Sequence, residues 1–134
     1  MSMSRMATAW IGLATLIAAF ALTAVALSAT KATTVTVTAG KPSEFGFKLS
    51  TKTVKHGAVT FKVTNSGSIP HDFKICASNK GGTANACKGV VTTMLSPKQT
   101  ATLKYTFKTA GKYEYLCTVP GHAAGGMKGV LKVT

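Results

Sequence analysis

One hundred and thirty-four residues, 14% of them charged, hold one domain and a short additional segment, which excludes a large multidomain enzyme and any long charged tail. Sixteen Lys and Arg face three Asp and Glu for a formal charge of +13, with Arg5 the sole arginine. That imbalance bears on partners, not on fold.

The run from Met6 to Thr30 is uncharged and lies between Arg5 and Lys31, the basic start and apolar middle of a secretory signal. Small residues suited to cleavage occur at Ala24-Val25-Ala26 and Thr30-Lys31-Ala32, so residues 1–32 are read as a signal peptide and residues 33–134 as the domain. The same run is long enough for an uncleaved membrane anchor, and that alternative stays open. Both readings deliver the domain to the periplasm or another extracytoplasmic compartment. Residues 33–134 keep 14 lysines and all three acids, Glu44, Asp72 and Glu114, for a charge of +11.

From Thr33 onward apolar residues alternate with polar ones, the period of half-buried strands, and no long helix is visible. Val35 and Val37, then Phe45, Phe47 and Leu49, then Val59, Phe61 and Val63 each mark an inward face. Phe73 and Ile75 continue the pattern on a strand beginning at His71. Val90, Val91, Met94 and Leu95 are less regular, with Met94 expected in the core. Leu103, Tyr105 and Phe107 alternate cleanly, as do Tyr113, Tyr115 and Cys117, and either Val130 or Leu131 with Val133 closes the chain. Turn signals separate these runs at Ala39-Gly40-Lys41-Pro42, His56-Gly57, Asn65-Ser66-Gly67-Ser68, Ser96-Pro97 and Ala110-Gly111. Seven or eight short strands with 17 threonines after residue 32 predict an all-β fold, an antiparallel sandwich or barrel forming one unit.

Three cysteines in an oxidising compartment leave one unpaired. Cys76 and Cys87 flank ten residues rich in Gly and Asn, a stretch flexible enough to close a loop, and a disulfide there contributes about 2–3 kcal/mol by restraining the unfolded chain. Cys117 is then the odd thiol. It lies in a segment that places Cys117, His122 and Met127 within eleven residues, on the loop between the last two strands, while His71 follows Ile69-Pro70 upstream. Two imidazoles and one thiolate in a trigonal plane, with a weak axial methionine, form a blue-copper electron-transfer site. Soft sulfur ligands favour Cu(I) and imidazole accepts either state, so little rearrangement accompanies the gain or loss of one electron. Pro120, Gly121 and Gly125-Gly126 allow the loop to bend around an ion.

At these residues the chain resembles the cupredoxins, the small blue copper proteins that include plastocyanin, azurin and rusticyanin. The spacing Cys117-x4-His122-x4-Met127 is most similar to the rusticyanin-type ligand loop. The resemblance implies a Greek-key strand order, one type 1 copper ion held by His71, Cys117, His122 and Met127, and a one-electron carrier between larger redox proteins that is not itself an enzyme. Asp72 and Thr118 are the expected neighbours of the ligands. The family often has Asn after its first histidine; the carboxylate of Asp72 can take the same kind of hydrogen bond and, when ionised, favours Cu(II).

Other readings compete less well. An immunoglobulin-like sandwich with a Cys76–Cys117 disulfide lacks its core tryptophan, because Trp10 lies in the signal. A Cys/His nucleophile lacks a third group to orient the histidine. Multicopper enzymes need several more histidines, and only His56, in an exposed turn, remains. Copper delivery without electron transfer is the alternative function, although neither an exposed Cys-x-x-Cys nor a methionine-rich tract is present. Scattered lysines without arginine clusters or interleaved aromatics speak against nucleic acid. The expected partner is an acidic redox protein such as a c-type cytochrome, an oxidase or a copper enzyme, with an anionic membrane surface as a further possibility and the protein itself a monomer. Docking is expected where Ile69, Pro70, Val119, Pro120, Ala123 and Ala124 surround the edge of His122, with lysines steering the approach.

Overall fold

The structure, a computed structural model, describes residues 31–81 and 87–134. Residues 1–30 of the expected signal, Trp10 among them, lie outside the described residues, as do residues 82–86 between the paired cysteines. Among the described residues no helix is long and apolar enough to cross a membrane.

Among the described residues nine strands follow in order: β1 (Thr33–Ala39), β2 (Phe47–Leu49), β3 (Thr53–Val54), β4 (Gly57–Asn65), β5 (Lys74–Cys76), β6 (Gly89–Val91), β7 (Thr100–Phe107), β8 (Gly111–Leu116) and β9 (Lys128–Val133). They form two sheets, β2-β1-β4-β7 and β3-β9-β8-β5-β6, the all-β sandwich that the alternation predicts. On β1 and β4 the residues Val35, Val37, Val59, Phe61 and Val63 point inward and are fully or almost fully buried, while Thr and Lys take the outer face. β-Branched residues suit a pleated surface on both sides, which is how so many threonines are accommodated.

Two neighbouring pairs, β1 with β4 and β3 with β9, run parallel, whereas the others are antiparallel. Alternation fixes which face a strand buries but not which strand lies beside it. A parallel pair needs a crossover, and the chain supplies one by visiting β2 in the first sheet and β3 in the second before returning as β4.

The interface between the sheets is a continuous aromatic core, with Phe61 against Phe73 (ring centroids 5.4 Å), Phe73 against Tyr115 (5.6 Å) and Phe61 against Phe107 (6.4 Å). Three expectations need correction, and one open alternative is decided. Phe45 lies outside β2 and is 42% exposed, and Met94 is 50% exposed instead of in the core, because each sits on a connection at one pole of the sandwich. β5 begins at Lys74; His71 lies before it and forms an isolated bridge with Leu95, itself on the connection between β6 and β7. At the chain end Leu131 and Val133 turn inward and Val130 outward. β8 is buried on both faces from Tyr113 to Leu116, and Leu116 forms a second small cluster with Cys76 and Ala123. Cys76 and Cys87 are disulfide-bonded and Cys117 is free and buried, which removes the immunoglobulin-like pairing.

Candidate metal centre

His71, Cys117 and His122 converge at one pole of the sandwich. Each is placed by a different device. His71 is clipped to Leu95 by reciprocal backbone hydrogen bonds of 3.1 and 2.8 Å. Cys117 follows the last residue of β8, and its N–H donates to the carbonyl of Met127, which immediately precedes β9, at 3.0 Å. The antiparallel β8–β9 pair thus grips both ends of the loop. Within it His122 donates its N–H to Val119 (3.0 Å) and accepts that of Met127 (2.9 Å), and positive φ at Gly121 (83°) and Gly126 (112°) turns the chain where other residues would be strained.

The donor atoms face one another. Nδ1 of His71 and Nδ1 of His122 are 3.1 Å apart, and Sγ of Cys117 is 3.5 Å from the second and 4.0 Å from the first. Metal–nitrogen and metal–sulfur bonds of about 2.0–2.3 Å spread in a plane would separate the donors by roughly 3.5–3.8 Å, within the observed spread. The residues therefore fit an ion bound by two imidazoles and a thiolate. Met127 is fully buried and belongs to the same core cluster as Cys117.

Around this trio lies a set of braces. Asp72 accepts the backbone N–H of Thr118 at 2.6 Å on one oxygen and the Thr118 hydroxyl on the other, joining the His71 segment to the Cys117 loop. Asn65, fully buried, donates to the carbonyls of Ile69 and Leu95, each at 2.8 Å, and accepts the N–H of Gly67 at 2.8 Å, so one side chain shapes the approach to His71. Glu44, 27 residues before His71, accepts the Nε2–H of that ring at 2.8 Å. The N–H of Ser68 beside both its oxygens, and then His71, hold the Glu44 carboxyl down at about 2. Phe45 lays its ring against His122, centroids 4.9 Å apart.

The environment tunes the two ligand-loop groups in opposite directions. Burial pushes the Cys117 thiol up, and burial followed by the nearby His71 pushes His122 down. Without an ion the pole thus favours a protonated sulfur and a neutral imidazole, and metal binding must displace the thiol proton.

The structure brings His71, Cys117, His122, Asp72 and Thr118 together. Of the residues expected at the surface around His122, Ile69, Pro70, Pro120 and Ala124 are exposed and Val119 is half-buried. Ala123 is not on that surface: at 1% exposure it folds down onto Leu116 and Cys76, a small side chain filling the second cluster. Sequence reasoning missed Asn65 and Glu44 as braces and Phe45 and Met94 as exposed apolar groups at this pole. The one available signal was the scarcity of acids, which makes each of the three worth placing.

Residues 31–134 match the sequence model of a family described as copper binding proteins, plastocyanin/azurin family. No curated protein sequence matches significantly. Among solved structures the chain is similar to a dithionite-reduced auracyanin from the photosynthetic bacterium Roseiflexus castenholzii, with 28% identity, a TM-score of 0.55, and coverage of 78% of this chain and 99% of that one. It is also similar to rusticyanin from Thiobacillus ferrooxidans, with 27% identity, a TM-score of 0.55, and coverage of 78% and 79%. Auracyanin A, a blue copper protein from the green thermophilic photosynthetic bacterium Chloroflexus aurantiacus, shares the fold at 23% identity and a TM-score of 0.60, over 78% of this chain and all of that one.

Proposed function

Because the chain belongs to the plastocyanin/azurin family of copper-binding proteins, we propose that it is an exported type 1 blue copper protein carrying one electron at a time between larger redox proteins. The observation that supports this most directly is the convergence of Cys117 Sγ with the Nδ1 atoms of His71 and His122 inside a buried pole. Those three residues would hold the ion, with the thioether of Met127 as a further, weaker donor. Bound there, copper supplies a one-electron couple. The chain's own part is to keep the donors fixed through the β8–β9 grip and the Asp72–Thr118 clip, so that little moves when the charge changes.

Only the edge of His122, itself 8% exposed, comes near solvent among the three. Ile69, Pro70, Val119, Pro120 and Ala124, joined by Phe45 and Met94, offer an apolar rim against which a partner can seat closely. The proposed partner is an acidic redox protein such as a c-type cytochrome, an oxidase or a copper enzyme, met outside the cytoplasm by a monomer. Burial of the ligands suits retention of the ion over its delivery.

Addition of Cu(II) to the purified protein is expected to give intense blue colour that ascorbate removes. Cys117→Ser should fold and stay colourless. Absence of colour in the unaltered protein, or transfer of its copper to an acceptor apoprotein, would count against the carrier.

A further inference from the structure

Glu44 touches His71 from outside the ligand loop. Its carboxylate accepts the Nε2–H of the buried ring at 2.8 Å and is held by the N–H of Ser68, 3.0 Å from both oxygens, and by the N–H of Ile69 at 3.4 Å. Gly67 closes over this pair: a Cβ at that position would collide with Oε1 and stand 2.9 Å from His71 Nε2. The next residue, Phe45, packs against His122. Two consecutive residues of the β1–β2 connection thus contact both imidazoles.

A carboxylate only accepts hydrogen bonds, so Nε2 of His71 must be the donor and Nδ1 must present its lone pair toward Cys117 and His122. The negative charge lies one imidazole ring away from those donor atoms, partly shielded, with the Glu44 side chain 32% exposed. A fixed anion stabilises the more positive of two metal states.

The geometry points to Glu44 as a positioning residue of the metal centre, one that fixes the His71 tautomer and supplies a negative charge that lowers the reduction potential of the bound ion. This rests on the copper reading above.

The test compares the full chain with Glu44→Gln, Glu44→Ala and Gly67→Ala at neutral pH. The amide of Glu44→Gln still accepts the Nε2–H, so this variant should turn blue and keep the His71 tautomer. Its oxidised-to-reduced ratio against a common one-electron mediator should fall about tenfold, a rise of about 59 mV. Glu44→Ala removes the acceptor as well. In nitrogen-15 spectra of the metal-free protein its His71 Nε2–H should exchange rapidly where the unaltered protein's is protected, and copper affinity should drop about ten- to a hundredfold. Gly67→Ala pushes the carboxylate aside without altering it and should raise the potential in the same direction, which keeps the test available if Glu44→Ala fails to fold. A potential in Glu44→Gln equal to or below that of the unaltered protein, or an unchanged His71 proton in Glu44→Ala, overturns the inference alone. A colourless unaltered protein overturns the copper reading on which it stands.

Discussion

Asn65 satisfies three backbone groups with one short side chain, Asp72 takes the backbone N–H and the hydroxyl of Thr118, and both are almost wholly buried. Polar atoms so placed are tolerated only when hydrogen-bonded, and the same requirement makes them rigid spacers between loops. Tyr105, on β7, takes no part in these braces. Burial, then the neighbouring Tyr113, pushes its phenol above the ordinary value of 10.0. The neutral form is favoured in the fold, so this contribution to stability is intact below pH 10 and is lost as pH rises from there through the raised folded value. The melting temperature is expected to fall less steeply above pH 10 in Tyr105→Phe than in the unaltered protein; parallel curves would show that the phenol takes no part. The residues proposed as ligands can be named from the sequence because their order along the chain is regular: Cys117, His122 and Met127 are local, and His71 shortly precedes a strand. Glu44 and Phe45 cannot, because they reach the pole through non-local pairing, and a carboxylate in a polar turn has no local pattern that separates a brace from a solvated charge.

The strands themselves follow alternation closely, and β1, β4, β7 and β8 are visible in the sequence from their inward Val, Leu, Phe and Tyr. The parallel neighbours were not visible, since a period of two carries no information on strand order. The two-residue β3 is too short to carry a period at all. The β5–β6 pair has only three residues on each strand and is tied by a disulfide from Cys76, its last paired residue on β5, to Cys87, two residues before β6. Replacing both cysteines by alanine should cost about 2–3 kcal/mol in chemical unfolding, the value of closing a loop of this length. Blue colour should survive, because Cys117 stands outside the bond. A colourless double variant would mean that the packing of Ala123 on Cys76 is essential to the ligand loop.

Among the described residues the lysines are spread over the surface, not gathered at the metal pole. Lys48, Lys62 and Lys104 face outward from the first sheet and Lys112, Lys128 and Lys132 from the second, whereas Lys41 and Lys98 lie on connections at or beside the pole. Lys112 and Lys132 stand directly opposite each other on β8 and β9, a mutually repulsive pair at the end of these strands away from the ligand loop. Association with an acidic partner should slow about tenfold or more between low and physiological salt, as measured by stopped-flow mixing, because exposed charges act at distances that salt screens. A rate indifferent to salt would leave the lysines without a part in encounter. The position of β9 has a further effect. It fills the gap between β3 and β8, and the ligand loop has no second wall until it does so. A nascent polypeptide still leaving the ribosome therefore offers copper no completed socket until Lys128–Val133 has arrived and zipped into place.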